Sequence, residues 1–399
     1  MPVVESRGCY VFPMRQLGFC DVFCILGLVA GVSCSDPLRV GGTGSGGATG
    51  TTVLQGVFAP AGNMNSARAG HTATLLPSGT VFIAGGNDGT SAVASAEIYD
   101  PRTATFSATG SMTATRAHHT ATLLGSGKVL IAAGDVNSRA LGSAELYDPA
   151  AGKFAPTGST TDARDGHTAS LLGDGRVLLT GGYRTHLYTP SAPIPELDTA
   201  ELYDPSTGTF SVTGTMTMPR ALHAATLLPN GTVLIVGGEG SEVGGRSLAS
   251  AELYDPKAGT FFAIGNMASA RIEPTATLLG NGKVLVTGGY DGTSFVVGAE
   301  LYDPATGRFE ASSNMTVGRY VFTATLLSDR QVLMVAGYTD SAFLSSAELY
   351  NQTTGKFTAT GSLTVERSDH TATLLRSGKV LVAGGSNAIG VLASAELYE

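Results

Sequence analysis

Residues 68–106 read RAGHTATLLPSGTVFIAGG, then a polar loop, then SAEIYDPRTATF. An alternating apolar run (His71 to Leu76) meets a turn at Gly79. A second run leads from Val81 into Gly85-Gly86, a third covers Ala96 to Tyr99, and a fourth strand follows an Asp-Pro turn and carries Phe106. Four short alternating runs separated by turn residues predict one antiparallel four-stranded sheet.

Nearly everything downstream is this stretch written again. The opening Arg recurs as Arg68, Arg116, Arg164, Arg220, Arg271, Arg319 and Arg367, at spacings between 48 and 56 residues. Each unit carries Ala-Glu-Leu/Ile-Tyr, ending at Tyr99, Tyr147, Tyr203, Tyr254, Tyr302, Tyr350 and Tyr398. Glycine pairs end the second run at Gly85-Gly86, Gly181-Gly182, Gly237-Gly238, Gly288-Gly289 and Gly384-Gly385, with Ala133-Gly134 and Ala336-Gly337 in the other two units. A period near 50 with units too small to bury their own apolar faces predicts a ring or array of repeats.

In these features the chain resembles the kelch repeat, with its double glycine after the second strand and its Glu-x-Tyr third strand followed by a fourth-strand aromatic. The likeness covers residues 53–399, with Phe standing where Trp is usual. It implies an all-β fold, a seven-bladed kelch-type β-propeller with four antiparallel strands per blade. Six units place Phe seven residues after the Tyr, whereas the seventh reaches only Tyr398-Glu399. Phe58 lies ten residues before Arg68, as Phe106 does before Arg116, so an N-terminal outermost strand over Val53 to Ala59 is expected to close the ring. Closure removes exposed strand edges.

Composition fits this reading. Gly is abundant at 54 while charged residues are only 14%, a balance for turns and strands, because Gly costs a helix interior roughly 1 kcal/mol. A net charge of −8 without any Lys/Arg cluster excludes a nucleic-acid footprint. The expected particle is a monomer.

All four cysteines (Cys9, Cys20, Cys24, Cys34) fall in residues 1–34, which read as a leader. Residues 17–33, LGFCDVFCILGLVAGVS, follow Arg15 with an apolar core and small residues at its end, the order of a secretory signal. Translation from Met1 or from Met14 fits this reading. Gly31-Val32-Ser33-Cys34 resembles a bacterial lipobox, which would make Cys34 a lipidated attachment point to a membrane. A plain cleaved signal and a retained anchor remain alternatives. Residues 35–52, SDPLRVGGTGSGGATGTT, form a Gly/Ser/Thr-rich tether. The expected location is extracytoplasmic: cell-surface, periplasmic or secreted.

The repeated Asp-Pro pairs, such as Asp100-Pro101, read as turn formers rather than calcium ligands. Glu97 and its counterparts sit inside an apolar strand, where a carboxylate needs a partner. Pairing with the repeat Arg, within or between adjacent blades, is expected. His71, His119, His167, His223 and His370 share one repeat position, replaced by Pro274 and Phe322 in two units. Equivalent positions spread around a ring, so these are expected to pack rather than bind a metal, and no cofactor is implied. The kelch-type ring is also the central domain of galactose oxidase, whose copper-radical chemistry uses a Tyr cross-linked to Cys. Residues 35–399 contain no Cys, which excludes that mechanism.

Two places depart from the repeat on one loop face. The longest insertion, Tyr183 to Asp198, carries Tyr183, Arg184, His186 and Tyr188. Units five and six add Tyr290, Phe295, Tyr320, Phe322, Tyr338 and Phe343. These ten are the candidate ligand-binding residues of a non-catalytic module for a glycan or protein; local packing is the competing explanation for the aromatic group. The alternative function is an enzyme of unknown type acting on a carbohydrate at the channel mouth, with no catalytic residue assigned.

Overall fold

The computed structural model describes residues 56–184, 196–240, 246–340 and 342–399. Its described residues contain no helix. They form seven four-stranded antiparallel sheets, the blades. In blade 1 the strands Thr72–Leu75, Val81–Ala84, Ala96–Asp100 and Thr105–Ala108 lie in sequence order from the inside outwards. The innermost strands touch one another all the way round, including Thr72–Leu75 against Thr371–Leu374 of blade 7. This is the expected seven-bladed propeller.

Burial follows strand order. Val81–Ala84 and its equivalents are buried at every position, because both sheet faces lie under neighbouring blades. The outermost strands are mostly exposed. No blade has a private core. Val81, Ile83 and Tyr99 of blade 1 pack with Leu381, Ala383 and Ala395 of blade 7, and six similar clusters straddle the other seams. Stability is therefore a property of seams. Tyr hydroxyls reinforce them: Tyr147, Tyr203, Tyr254 and Tyr398 bond Thr109, Thr157, Thr213 and Thr360, in or just past the preceding blade's outermost strand, at 2.8–2.9 Å.

The ring closes through Phe58–Asn63, which pairs antiparallel with Ser394–Tyr398 and sets Phe58 opposite Tyr398. Their rings lie 5.0 Å apart, close to the 4.8 Å of Tyr99 and Phe106 within blade 1. The closing strand begins later than the expected Val53 to Ala59 and runs on to Asn63, past an irregularity in register between Pro60 and Asn63. Val53 lies outside the described residues.

Each repeat Arg is fully buried and pairs with the Glu of its own unit, at 2.8 Å for Arg68–Glu97 and between 2.7 and 3.4 Å in the other six. The guanidinium also donates to the backbone: Arg68 Nη1 reaches the carbonyls of Gly85 and Ser95 at 2.7 and 3.0 Å. Glu97 in turn accepts the N–H groups of Asn65 and Ser66, at 2.8 and 3.1 Å, from the connector that enters the blade. The pair thus ties the incoming chain to the ends of the second and third strands. Asp100 and its equivalents accept backbone N–H groups two residues on, at 2.8–3.0 Å, as turn formers do.

Removing one partner of such a pair leaves an uncompensated buried charge. Glu252→Gln, which strips the carboxylate from Arg220, is expected to cost about 3–5 kcal/mol. Urea unfolding of the variant beside the parent chain measures this, and an unchanged midpoint would show that the pair contributes nothing.

Candidate ligand site at the channel mouth

Two backbone devices gather the variable residues of the repeat on one face. The residue after each glycine pair forms a bridge with the residue after the repeat Arg, giving Asp135 with Ala117, Tyr183 with Asp165, Glu239 with Ala221, Tyr290 with Ile272, and Tyr338 with Tyr320. The next residue along is Gly70, His118, Gly166, Leu222, Glu273, Val321 or Asp369, and all seven have φ between 50° and 62°. This left-handed geometry turns the amide sideways toward the preceding blade. His118 N–H donates to Gly70 carbonyl, Leu222 to Gly166 and Glu273 to Leu222, each at 2.8 Å, while Gly70 to Asp369 and Asp369 to Val321 span 3.3 Å. The result is a belt of backbone bonds around the mouth. Only Gly adopts such a φ without cost, and Val321 is β-branched.

Within the belt lies a cavity of about 300 Å³, lined by Leu222, Glu273, Val321, Asp369 and the edges of the buried His167, His223 and His370. Its chemistry is acidic. His118 Nδ1 lies 2.9 Å from Asp135, and Nε2 lies 3.8 Å from Asp369. Burial works against a charge on this imidazole, but the bonds to Asp135 and Asp369 outweigh it and hold its pKa well above the ordinary value. Glu273 is pushed up to about 8, first by desolvation, then by the Asp369 charge, with Glu239 and Asp165 adding to it. Tyr183 donates a short hydrogen bond to Glu239, and burial together with that charge raises the phenol well above its usual range. His118, Asp135 and Asp165 offer atoms within 4.8 Å of one another, an arrangement that could hold a cation.

Beside the acids stands an aromatic wall. Ring centroids are 5.3 Å apart for Tyr290 and Phe295, 5.9 Å for Phe295 and Tyr320, 6.1 Å for Phe295 and Tyr338, and 5.1 Å for Tyr338 and Phe343. All five are partly exposed. Phe322 differs from them: it is only 8% exposed and packs with Leu285, Met315 and Met334 in the place that His takes elsewhere, and like those His edges it lines the cavity. Tyr183 is also buried, at 3% exposure, and Arg184 is exposed and paired with Asp162 at 2.9 Å. His186 and Tyr188 lie outside the described residues, as do Cys34, the leader and the tether.

The reading of the sequence missed Glu273, Asp369, Glu239 and the His118–Asp135 pair. A signal was present. Stacking the seven units shows a column, just before the His column, that changes chemistry from blade to blade. The His column itself is a set of latches. Nε2 of His71, His119, His167, His223 and His370 lies 2.9–3.0 Å from Thr371, Thr72, Thr120, Thr168 and Thr323, each on the preceding blade's innermost strand.

Desolvation, followed by the charge of the neighbouring repeat Arg, lowers His71, His167 and His370 to about 3 and takes His119 and His223 well below the usual value. In the unfolded chain these rings take up a proton near pH 6.5. The unfolded state therefore binds more protons between pH 6.5 and 3, so this stability is present above 6.5 and is lost as pH falls through the window. Urea midpoints are expected to drop between pH 7.5 and 4.5, with a shallower drop in a His119→Gln/His223→Gln variant. An identical pH slope in parent and variant would remove the latches as its cause.

A kelch motif model matches residues 67–113 and 274–316, the regions of blades 1 and 5. Among solved structures, a copper-bound fungal alcohol oxidase of the AA5 family superposes with a TM-score of 0.69 at 16% identity, over 86% of this chain and 76% of that one. The structure of YjhT gives 0.58 at 14% identity, over 74% of this chain and 98% of the other. At such identities the likeness is one of fold. No curated protein sequence matches. The chain is a seven-bladed β-propeller whose first and fifth blades match the kelch motif.

Proposed function

We propose that this propeller is a binding module that captures a glycan or protein ligand on its channel-mouth face. The observation that carries the reading is the convergence of the repeat's variable positions on one cavity, with a cluster of partly exposed aromatic rings on the same face. Aromatic faces beside hydrogen-bonding carboxylates suit sugar rings and peptide side chains alike, and function concentrates where loops vary over a rigid repeat. The leader sequence supports an extracytoplasmic setting, with Cys34 as the lipid-bearing attachment point. Mass spectrometry of the mature N-terminus tests that part, and an unmodified residue beyond Cys34 removes the lipid.

A second reading rests on a different observation. Glu273, raised to about 8, shares the cavity with Asp369, and His118, held by Asp135, lies 3.8 Å from Asp369, a set able to give and take protons on a bound carbohydrate.

Glycan and peptide arrays test the face. Tyr290→Ala and Tyr320→Ala are expected to weaken a ligand found there by about 10-fold or more, equivalent to about 1.4 kcal/mol, with the thermal midpoint nearly unchanged. Phe322 is not a suitable probe, since its loss would open the core. Binding unaffected by both substitutions would move the site elsewhere, and product formation abolished by Glu273→Gln would favour the enzyme.

A further inference from the structure

We infer that the ligand of the channel mouth is an aliphatic di- or polyamine, its ammonium groups set among the mouth carboxylates and its methylene chain against the apolar and aromatic wall. The inference rests on the channel-mouth reading above and narrows it to one chemical class.

Charge comes first. Among the described residues the mouth presents Asp135, Asp165, Glu239, Glu273 and Asp369, and the cation facing them is His118. Asp135 is matched to His118, and Glu239 accepts from Tyr183. Glu273 makes neither a side-chain hydrogen bond nor an ion pair, although it lines the cavity. Many of the other cations are committed elsewhere. The repeat arginines are buried against their glutamates, and Arg184 is tied to Asp162. Lys128, Lys283 and Lys379 sit in the turns between first and second strands and pair with Asp148, Asp303 and Glu399 on the opposite rim. A cationic guest would complete the mouth, and an anion would be repelled.

Shape decides what kind of cation. A bare metal ion would use the carboxylates but not the rest of the lining. Leu222, Pro274 and Val321 line the same cavity. Tyr320 stands near these acids: burial, then the charges of Glu273 and Glu239, raise its phenol well above the usual range. Tyr320 packs against Tyr290 and Phe295 at 6.5 and 5.9 Å, giving ring faces of the kind that attract ammonium groups. A cavity of about 300 Å³ suits a short flexible chain.

The sign of the pH dependence follows. Glu273 faces Asp369, Glu239, Asp165, His118 and the Tyr320 phenol. Below about 8 it holds a proton that an arriving ammonium must expel, and above that value the proton is already gone. His118 loses its charge in the same direction. Affinity for a cation therefore rises with pH, while alkyl ammonium groups stay charged to about pH 10.

The experiment is calorimetric titration of the full chain with spermidine chloride, with 1,8-octanediol and calcium chloride as controls. Saturable 1:1 binding is expected, strengthening about 10-fold or more from about pH 6 to about pH 9 and weakening with salt. Glu273→Gln should lose about 10-fold or more at the higher pH and little at the lower one, while Asp369→Asn weakens binding at both. Circular dichroism checks folding, and the pH series on the unaltered chain decides the matter if a variant fails. Absence of spermidine binding, octanediol binding equally well, or calcium displacing spermidine with Glu273→Gln without effect would each overturn the inference. If a neutral glycan binds instead and Tyr320→Ala abolishes it, the amine falls and the binding face stands. If no ligand responds to Tyr290→Ala or Tyr320→Ala, the face falls as well.

Discussion

A guanidinium with no solvent contact, bonded to a carboxylate inside its own repeat, is the constraint around which each blade is assembled. Taking both charges out of water is expensive, and the geometry must return that cost through every remaining donor and acceptor. It does so here by using the backbone. Arg68 holds the carbonyls of Gly85 and Ser95, and Glu97 holds the amides of Asn65 and Ser66. The pair therefore specifies where the chain enters a blade, where the second strand stops and where the third begins. Seven repetitions of one such junction fix the placing of successive sheets, and the apolar seams between blades supply the area that stabilises the ring.

The closing seam is held by a variation on the same device. Asn65 adds its side-chain amide to Glu97 at 2.8 Å, beyond the backbone amides of Asn65 and Ser66. The same seam lacks another bond. Tyr99 has a buried hydroxyl with no partner, because Ala61 stands where Thr109, Thr157 and Thr360 serve the corresponding tyrosines. The closing junction thus has one bond more at the connector and one fewer at the Tyr99 hydroxyl.

The fold was legible because its causes are local and repeated. Alternation marks the strands, Asp-Pro marks the turns, and the spacing of Phe58 from Arg68 anticipates the partner of Ser394–Tyr398. The site was legible only in part. Tyr290, Phe295, Tyr320 and Tyr338 could be placed on one face by repeat phase alone, and they do meet. Phe322 is aromatic too but lies two residues past Tyr320, at the His position of the repeat, where its ring packs into the core under Gly288 at the cavity's floor. Glu273 and Asp369 belong to different blades, and nothing in either segment announces the other. Their shared cavity, and the raised pKa that follows, arise only when the ring brings the two blades to one mouth.

The backbone at that mouth says how much those side chains matter. Gly70 and Gly166 occupy the left-handed conformation at no steric cost, whereas His118, Leu222, Glu273, Val321 and Asp369 adopt it with a Cβ, at a cost of order 1–3 kcal/mol each. A Cβ at Gly70 would come within 2.6 Å of His118 Nε2, so a side chain there would displace the imidazole. The glycine makes room for the imidazole that Asp135 orients. At the other five positions a glycine would relieve strain, so each side chain present stands at a local backbone cost. The rigid seams and buried Arg–Glu junctions supply the stability that such strain consumes. The belt is thereby a fixed frame on which charge and shape vary independently of the fold.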